Sequence, residues 1–302
     1  MLRISYARRK DIDTQKWDSC IARSVNGMVY AYAWYLDIVA PDWDALIAND
    51  YEYVFPLPHR RKYAVRYIFQ PSFSQQLGLF SASTISEASL NEFIKAIPMR
   101  FRHITLNLNT YNRVSAPAVG VKQRVTYHLD LLNPYPTLAG RYTPNTKRNI
   151  SKALALGVWA CKGLSIAEMI EFKTKHQAVP LLKEHLGIMG QIMRSCIARG
   201  VGELYGAYSK ANQLCAAVFF VKSNGKAIYL WAGSSQEGKQ NRAMFALVDH
   251  FINQNSEAHL TLDFEGSSIE SIGRFYAGFG ATPSNFPAIT INRLPWFLKI
   301  WV

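Results

Sequence analysis

Residues 203–264 read ELYGAYSKANQLCAAVFFVKSNGKAIYLWAGSSQEGKQNRAMFALVDHFINQNSEAHLTLDF, and this stretch decides the fold. Three runs rich in β-branched and aromatic residues, Glu203–Ser209, Gln213–Lys222 and Lys226–Gly233, are separated by Lys210-Ala-Asn212 and Ser223-Asn-Gly225. Such turn residues between apolar runs specify hairpins, so an antiparallel meander is expected. A polar loop, Ser234–Asn241, then leads into a helix over Arg242–Asn253 and a strand over Leu260–Phe264. A helix over Ile269–Phe279 and a closing strand over Ala288–Asn292 follow. Three antiparallel strands, helix, strand, helix, strand is an α/β (α+β) plan with a mixed, mainly antiparallel sheet. A polar loop feeding a helix N-terminus beside a central strand suits an anion.

Upstream of this block, Thr146–Leu156 reads as a helix stopped by Gly157, followed by a strand over Val158–Lys162 and helices over Ile166–His176 and Leu181–Arg199. The first half has the same coarse plan. A strand over Leu2–Ala7 precedes helices starting at Asp13 and at Ala31, then β-runs Trp43–Ala48, Tyr51–Leu57 and Tyr63–Phe69, with Asn49-Asp50 as a hairpin turn. A helix over Ser86–Ile97, capped by Ser86, and strands over His103–Leu108 and Val125–Leu131 complete it. Asn133-Pro-Tyr-Pro136 breaks the pattern, so domains of 1–136 and 137–302 are expected, with a hint of internal duplication.

Composition narrows the function classes. Of 302 residues 49% are hydrophobic and 18% charged, which excludes wholesale disorder. Thirty-four Lys and Arg against 21 Asp and Glu give a net charge of +13, spread over both halves, which favours anionic partners. The cysteines Cys20, Cys161, Cys196 and Cys215 are scattered without a C-x-x-C, and the seven histidines do not cluster, so neither a disulfide framework nor a metal site is expected. No secretory leader or membrane-length apolar run is read, and a cytoplasmic setting follows. Nucleophile-elbow, P-loop and zincin motifs are absent.

Three segments carry chemistry. Arg148 and Lys152 lie four apart on one helix face and can hold a phosphate, against the plain alternative of a solvated surface. Asp263 and Glu265 close a strand; two apart, they share a face on an ideal strand and can accept or relay a proton, against capping by Ser267 or Ser268. Tyr276, in Phe275-Tyr-Ala-Gly-Phe-Gly280, can donate a proton to a leaving group, against simple packing at a helix stop of the Schellman type.

These segments resemble the FemABX aminoacyltransferases. The resemblance rests on Lys147-Arg-Asn-Ile-x-Lys-Ala followed by Gly157-Val158, and on Asp263-Phe-x-Gly-Ser267 followed by Phe275-x-x-Gly-Phe-Gly280. Trp17-Asp18, Trp34, Phe55-Pro-Leu-Pro58, Arg60-Arg-Lys62 and Pro71…Gln75-x-Leu-Gly78 extend it over nearly the whole chain. It implies two tandem GNAT-like domains and transfer of an acyl or aminoacyl group to an amine, the acceptor being a small molecule or a cell-wall precursor. The co-substrate is then acyl-CoA or aminoacyl-tRNA, with no tightly bound cofactor. Gly233, Ser234, Ser235, Gly238, Asn241 and Arg242 are the expected donor or phosphate contacts, Arg148 and Lys152 the acceptor or anion contacts, and Asp263, Glu265 and Tyr276 the catalytic set.

The chain also departs from the pattern. Ser235-x-x-Gly238-x-Gln240 matches one position of three of the acetyl-CoA loop, and Tyr276 stands two residues before the Gly-Phe pair where the usual tyrosine stands four before. An inactive binding protein on this fold, recognising a phosphorylated or nucleotide-linked ligand, is the second reading. Nucleic-acid binding through Arg8-Arg-Lys10 and His59-Arg-Arg-Lys62 is the third, limited to tRNA as donor, with no stable DNA binding. The closing Leu294-Pro-Trp-Phe-Leu-Lys-Ile-Trp301-Val reads as a core element or as a peripheral membrane contact.

Overall fold

The computed structural model describes residues 2–63, 65–114, 120–176, 182–266 and 269–295. It divides into two units: unit 1 comprises Met1–Arg124 with Asn285–Val302, and unit 2 comprises Val125–Ser284.

Unit 1 begins with β1 (Ile4–Arg8), α1 (Thr14–Arg23) and α2 (Ala33–Val39). The Asp13 side chain accepts from the backbone N–H groups of Gln15 and Lys16, satisfying two donors that open α1. Trp17 on α1 is fully buried, donates from its indole to Ala31 O at 2.7 Å and packs 5.0 Å from Trp43. Strands β2 (Trp43–Ala48), β3 (Tyr53–Lys62), β4 (Val65–Ile68) and the short β5 (Phe80–Ser81) come next, followed by α3 (Glu87–Ala96) and β6 (Phe101–Asn107). Asn49 and Asp50 take left-handed φ of 50° and 51°, which turns β2 into β3 as the dipeptide implied. Ser86 and Ser89 exchange side-chain and backbone bonds at the start of α3, so the expected cap is a reciprocal one.

The chain enters unit 2 within β7 (Gly120–Asp130), then forms α4 (Tyr135–Gly140), α5 (Pro144–Ala155), β8 (Trp159–Lys162), α6 (Ile166–His176) and α7 (Lys183–Ala198). The meander is β9 (Gly202–Tyr208), β10 (Leu214–Ser223) and β11 (Lys226–Ser234), with Asn224 and Gly225 at φ 52° and 68° in its second turn. After it come α8 (Gln236–Gln240), α9 (Ala243–Gln254), β12 (Thr261–Asp263), α10 (Glu270–Ala277) and β13 (Thr282–Asn292). Ala243, Ala246, Leu247, Phe251 and Ile252 recur at helical spacing and bury one face of α9. Phe251 stacks on Phe220 of β10 at 3.7 Å, both fully buried, and burying each ring stabilises the unit by about 2–3 kcal/mol.

The two units repeat one strand order. In unit 1 it runs β1-β2-β3-β4-β6-β13, and in unit 2 β8-β9-β10-β11-β12-β7. Neighbours are antiparallel except β4 with β6 and β11 with β12, which are parallel. This is the mixed, mainly antiparallel sheet expected, and the matching orders bear the mark of duplication.

Two details differ from the sequence reading. The expected boundary at 136/137 falls in the first turn of α4, whereas the compact units divide at 124/125 and the chain returns to unit 1 at Asn285. The crossings lie inside β7 and β13, where the strands run on without a break. The polar loop Ser234–Asn241 contains α8, because the Ser235 hydroxyl accepts from Gly238 N at 2.9 Å and starts a helical turn. No helix among the described residues is long and apolar enough to cross a membrane, and the closing stretch from Trp296 lies outside them.

Candidate active-site cleft in unit 2

Strand β11 pairs with β12 only at Lys226–Ile228, opposite Thr261–Asp263. Beyond Ile228 the parallel pair ends, while β11 runs on to Ser234 against β10. The register slips between Phe219 and Phe220, so Leu230 is an extra residue bulged between Tyr229 and Trp231. Where β11 leaves β12, a cleft of about 660 Å³ opens, lined by Tyr229–Ser234, Gly238, Lys239, Arg242, Met244, Phe245, Phe264–Gly266, Ser271, Ile272, Phe275 and Tyr276.

Six of the sequence-derived positions therefore meet in one cavity: Gly233, Ser234, Gly238, Arg242, Glu265 and Tyr276. Arg242 does not begin a helix. It is the residue before α9, held at φ 60° with its side chain exposed, and Lys239 beside it adds a second cation to the rim. A Cβ on Gly238 would stand 2.0 Å from Cys215 O, so glycine here lets α8 lie directly on the backbone of β10.

Other positions lie outside the cleft. Ser235 is buried, accepting from Gly238 N and donating to Cys215 O at 3.3 Å. Asn241 ends α8, its amide donating to Glu237 Oε1 at 3.4 Å. Arg148 and Lys152 share an exposed face of α5, as their spacing required, but do not line the cleft.

Asp263 and Glu265 part company. β12 stops at Asp263, and Glu265 turns to φ 56°, so strand alternation does not extend to it and the two carboxyls do not share a face. Asp263 is 1% exposed; its Oδ1 accepts from Thr126 Oγ at 2.5 Å and from Glu265 N at 2.9 Å, and His128 Nε2 stands 3.3 Å from Oδ2. Thr126 Oγ also accepts from Gly266 N at 3.2 Å. A Cβ on Gly266 would fall 1.7 Å from Val125 O, so this turn is pressed against β7. Asp263 fixes the turn that carries Glu265 into the cleft wall. Ser267 and Ser268, considered as caps, lie outside the described residues.

Tyr276 is buried and stacked on Phe264 at 4.7 Å. Burial, with Glu265 and Asp263 nearby, raises its phenol pKa well above the ordinary value, so it stays protonated at neutral pH. The glycine stop that follows falls at Gly280, which takes the left-handed turn at φ 83°, while Gly278 keeps right-handed geometry.

The sequence reading missed the aromatic lining from Tyr229, Trp231, Phe245, Phe264 and Phe275, as well as Lys173. The bulge at Leu230 sets Tyr229 opposite Phe220 and Trp231 opposite Phe219, so the two rings are out of step and simple alternation along β11 carries no signal for this lining. Lys173 on α6 donates to Ala232 O, lies 5.1 Å over the Trp231 ring, and has its pKa lowered by burial.

No protein-family model matches the chain, and no curated protein matches it in sequence. Solved structures do. FemX superposes with a TM-score of 0.69 at 12% identity, covering 96% of this chain and 98% of FemX. The tandem GNAT protein from the clavulanic acid biosynthesis pathway gives 0.58 at 12% identity, covering 98% and 99% of the two chains. L-PGS from Bacillus licheniformis gives 0.58 at 7%, covering 96% and 95%. The repeated strand order and these superpositions give the chain the fold of the FemAB-like, tandem GNAT acyltransferases.

Proposed function

We propose that the chain is an N-acyltransferase whose reaction takes place in the cleft of unit 2. The observation that carries this reading is the parting of β11 from β12 after Ile228, which frees one edge of residues 229–233 beside Tyr276 and Glu265. An extended donor can lie along that edge, its carbonyl oxygen receiving backbone N–H bonds as charge develops. The acceptor amine attacks the carbonyl, a C–N bond forms, and the thioester or ester bond to the donor breaks. Glu265 takes the proton from the amine, and Tyr276, held protonated, supplies one to the departing thiolate or alkoxide. Lys239 and Arg242 at the rim suit the phosphates of acyl-CoA or of aminoacyl-tRNA, and the acceptor is an amine on a small molecule or a cell-wall precursor. Lys173 positions the Ala232 carbonyl and shields one face of Trp231. The free cysteines fit a reducing, cytosolic setting.

The test is calorimetric titration with acetyl-CoA, longer acyl-CoAs and aminoacyl-tRNA, followed by turnover on amine acceptors. Tyr276→Phe is expected to lower kcat by roughly 10²–10⁴-fold with donor affinity retained. If no donor binds, or if Tyr276→Phe and Glu265→Gln together keep full turnover, this assignment is wrong.

A further inference from the structure

The basic cluster His59-Arg-Arg-Lys62 has no part in the cleft of unit 2, and within unit 1 the sheet gathers it with more distant arginines. Arg61 on β3 is the register partner of Arg66 on β4, and Arg66 that of Phe101 on β6, which Arg100 and Arg102 flank. Just past β13, Arg293 N donates to Arg102 O at 2.7 Å. Four neighbouring strands thus deliver Arg61, Arg66, Arg100, Arg102 and Arg293 to one groove of about 750 Å³. At about 4.8 Å per strand, the row spans roughly 14 Å.

Like charges on facing strand positions destabilise a sheet, and no carboxylate lines this groove among the described residues. Asp44, in a hollow that shares Arg66 and Arg100 with this groove, is already engaged. It accepts from Tyr6 Oη and from Arg9 N, stands 2.9 Å from His59 Nε2, and reaches only Arg100 of the row, at 3.4 Å. Two of the guanidinium groups are also held in place. Arg293 donates to Ile97 O and Pro98 O at 3.0 and 3.2 Å, and Arg100 is sandwiched over Tyr6 and Phe101 at 4.4 and 5.1 Å with its buried Nε unpartnered. A smaller hollow of about 280 Å³ shares Arg66 and Arg100 and adds Arg8 and His59. Planar forks fixed by packing match phosphate oxygens in pairs. One phosphate occupies two such forks, and the row offers more than two.

We infer that this groove of unit 1 binds a diphosphate group or two neighbouring phosphates, carried by a soluble ester or by an anionic lipid headgroup. The inference is independent of acyl transfer in unit 2.

The experiment titrates the full chain calorimetrically with inorganic pyrophosphate and inorganic phosphate, and floats it with neutral vesicles or vesicles containing phosphatidic acid. Arg66→Gln/Arg102→Gln and Arg66→Lys/Arg102→Lys are compared with Arg23→Gln, an exposed change at the end of α1. Both arginines of the double variants are exposed, and circular dichroism verifies their fold. Saturable pyrophosphate binding that weakens roughly 100-fold in the glutamine double variant, about tenfold per guanidinium, supports the site with a soluble ligand. The lysine double variant should fall in between and Arg23→Gln should match the parent chain. Capture by phosphatidic acid vesicles alone, lost in the glutamine double variant, supports it with a lipid source. Binding to neither probe, binding that survives both glutamine changes, or binding only to long polyanions such as tRNA overturns it.

Discussion

Thr126 offers the sharpest test of how the cleft wall is held. Its hydroxyl donates to the Asp263 carboxyl at 2.5 Å and accepts from Gly266 N at 3.2 Å, and both Thr126 and Asp263 are buried. Thr126→Val keeps the shape but leaves a buried carboxyl short of a donor and the Gly266 amide without its acceptor. A hydrogen bond to a charged group contributes about 1.5–3 kcal/mol, and an amide deprived of its partner costs about 1 kcal/mol more. A loss of about 3 kcal/mol is expected, or roughly 6–12 °C in Tm for a unit of this size. Urea unfolding followed by amide exchange within residues 125–284 measures it. Exchange at Glu265 and Gly266 should quicken first, and donor affinity in the cleft should fall with it. Thr126→Ser, which keeps the hydroxyl, should lose no more than about 1 kcal/mol. A valine variant as stable as the serine variant would refute the argument that this hydroxyl holds the turn.

Three further outcomes are expected. Gly238→Ala drives a Cβ against Cys215 O, a backbone atom that cannot yield, and should cost about 1–3 kcal/mol by thermal unfolding. Gly187→Ala, inside α7 with nothing within 4 Å of the new Cβ, should stabilise by about 0.5–1 kcal/mol, which the same scan detects. Burial works against the charge of Glu203, but Lys162 and Lys222 at 2.8 Å outweigh it and hold the carboxyl below the usual carboxylate range. Its folded pKa is therefore lower than its unfolded one, so its contribution is full above about pH 4–5 and is lost as pH falls through the folded value. Glu203→Gln should flatten that acid limb in urea titrations across pH 3–6, and an unchanged limb would count against the pairing.

Much of this fold was legible because local chemistry and tertiary structure agree. Asn49-Asp50, Asn224-Gly225, the Asp13 and Ser86 caps and the apolar stripe of α9 each specify one geometry, and the chain adopts it. Features that depend on long-range packing were not legible. Four polar residues and a glycine over 236–240 do not read as a helix, yet the Ser235 cap and the seat of Gly238 on β10 make one. Counting residues put Asp263 and Glu265 on one face, but Thr126, 137 positions away in sequence, captures one carboxyl and the left-handed turn redirects the other. Arg148 and Lys152 keep the predicted common face, but spacing alone cannot say what a face looks toward. Lys173 reaches Ala232 from another element, 59 residues distant, which no periodicity encodes.

The exchange of last strands has a consequence for biosynthesis. β6 emerges from the ribosome well before its partner β13, the last described element, and all of unit 2 lies between them in sequence. Unit 2 has all its strands once β12 is translated, because β7 is already available to it. The usual vectorial order, amino-terminal domain first, is thereby inverted, and unit 1 waits with an open β6 edge until β13 is made. Cutting the gene at any single point cannot yield both units intact, since unit 1 is assembled from two separate segments with unit 2 between them.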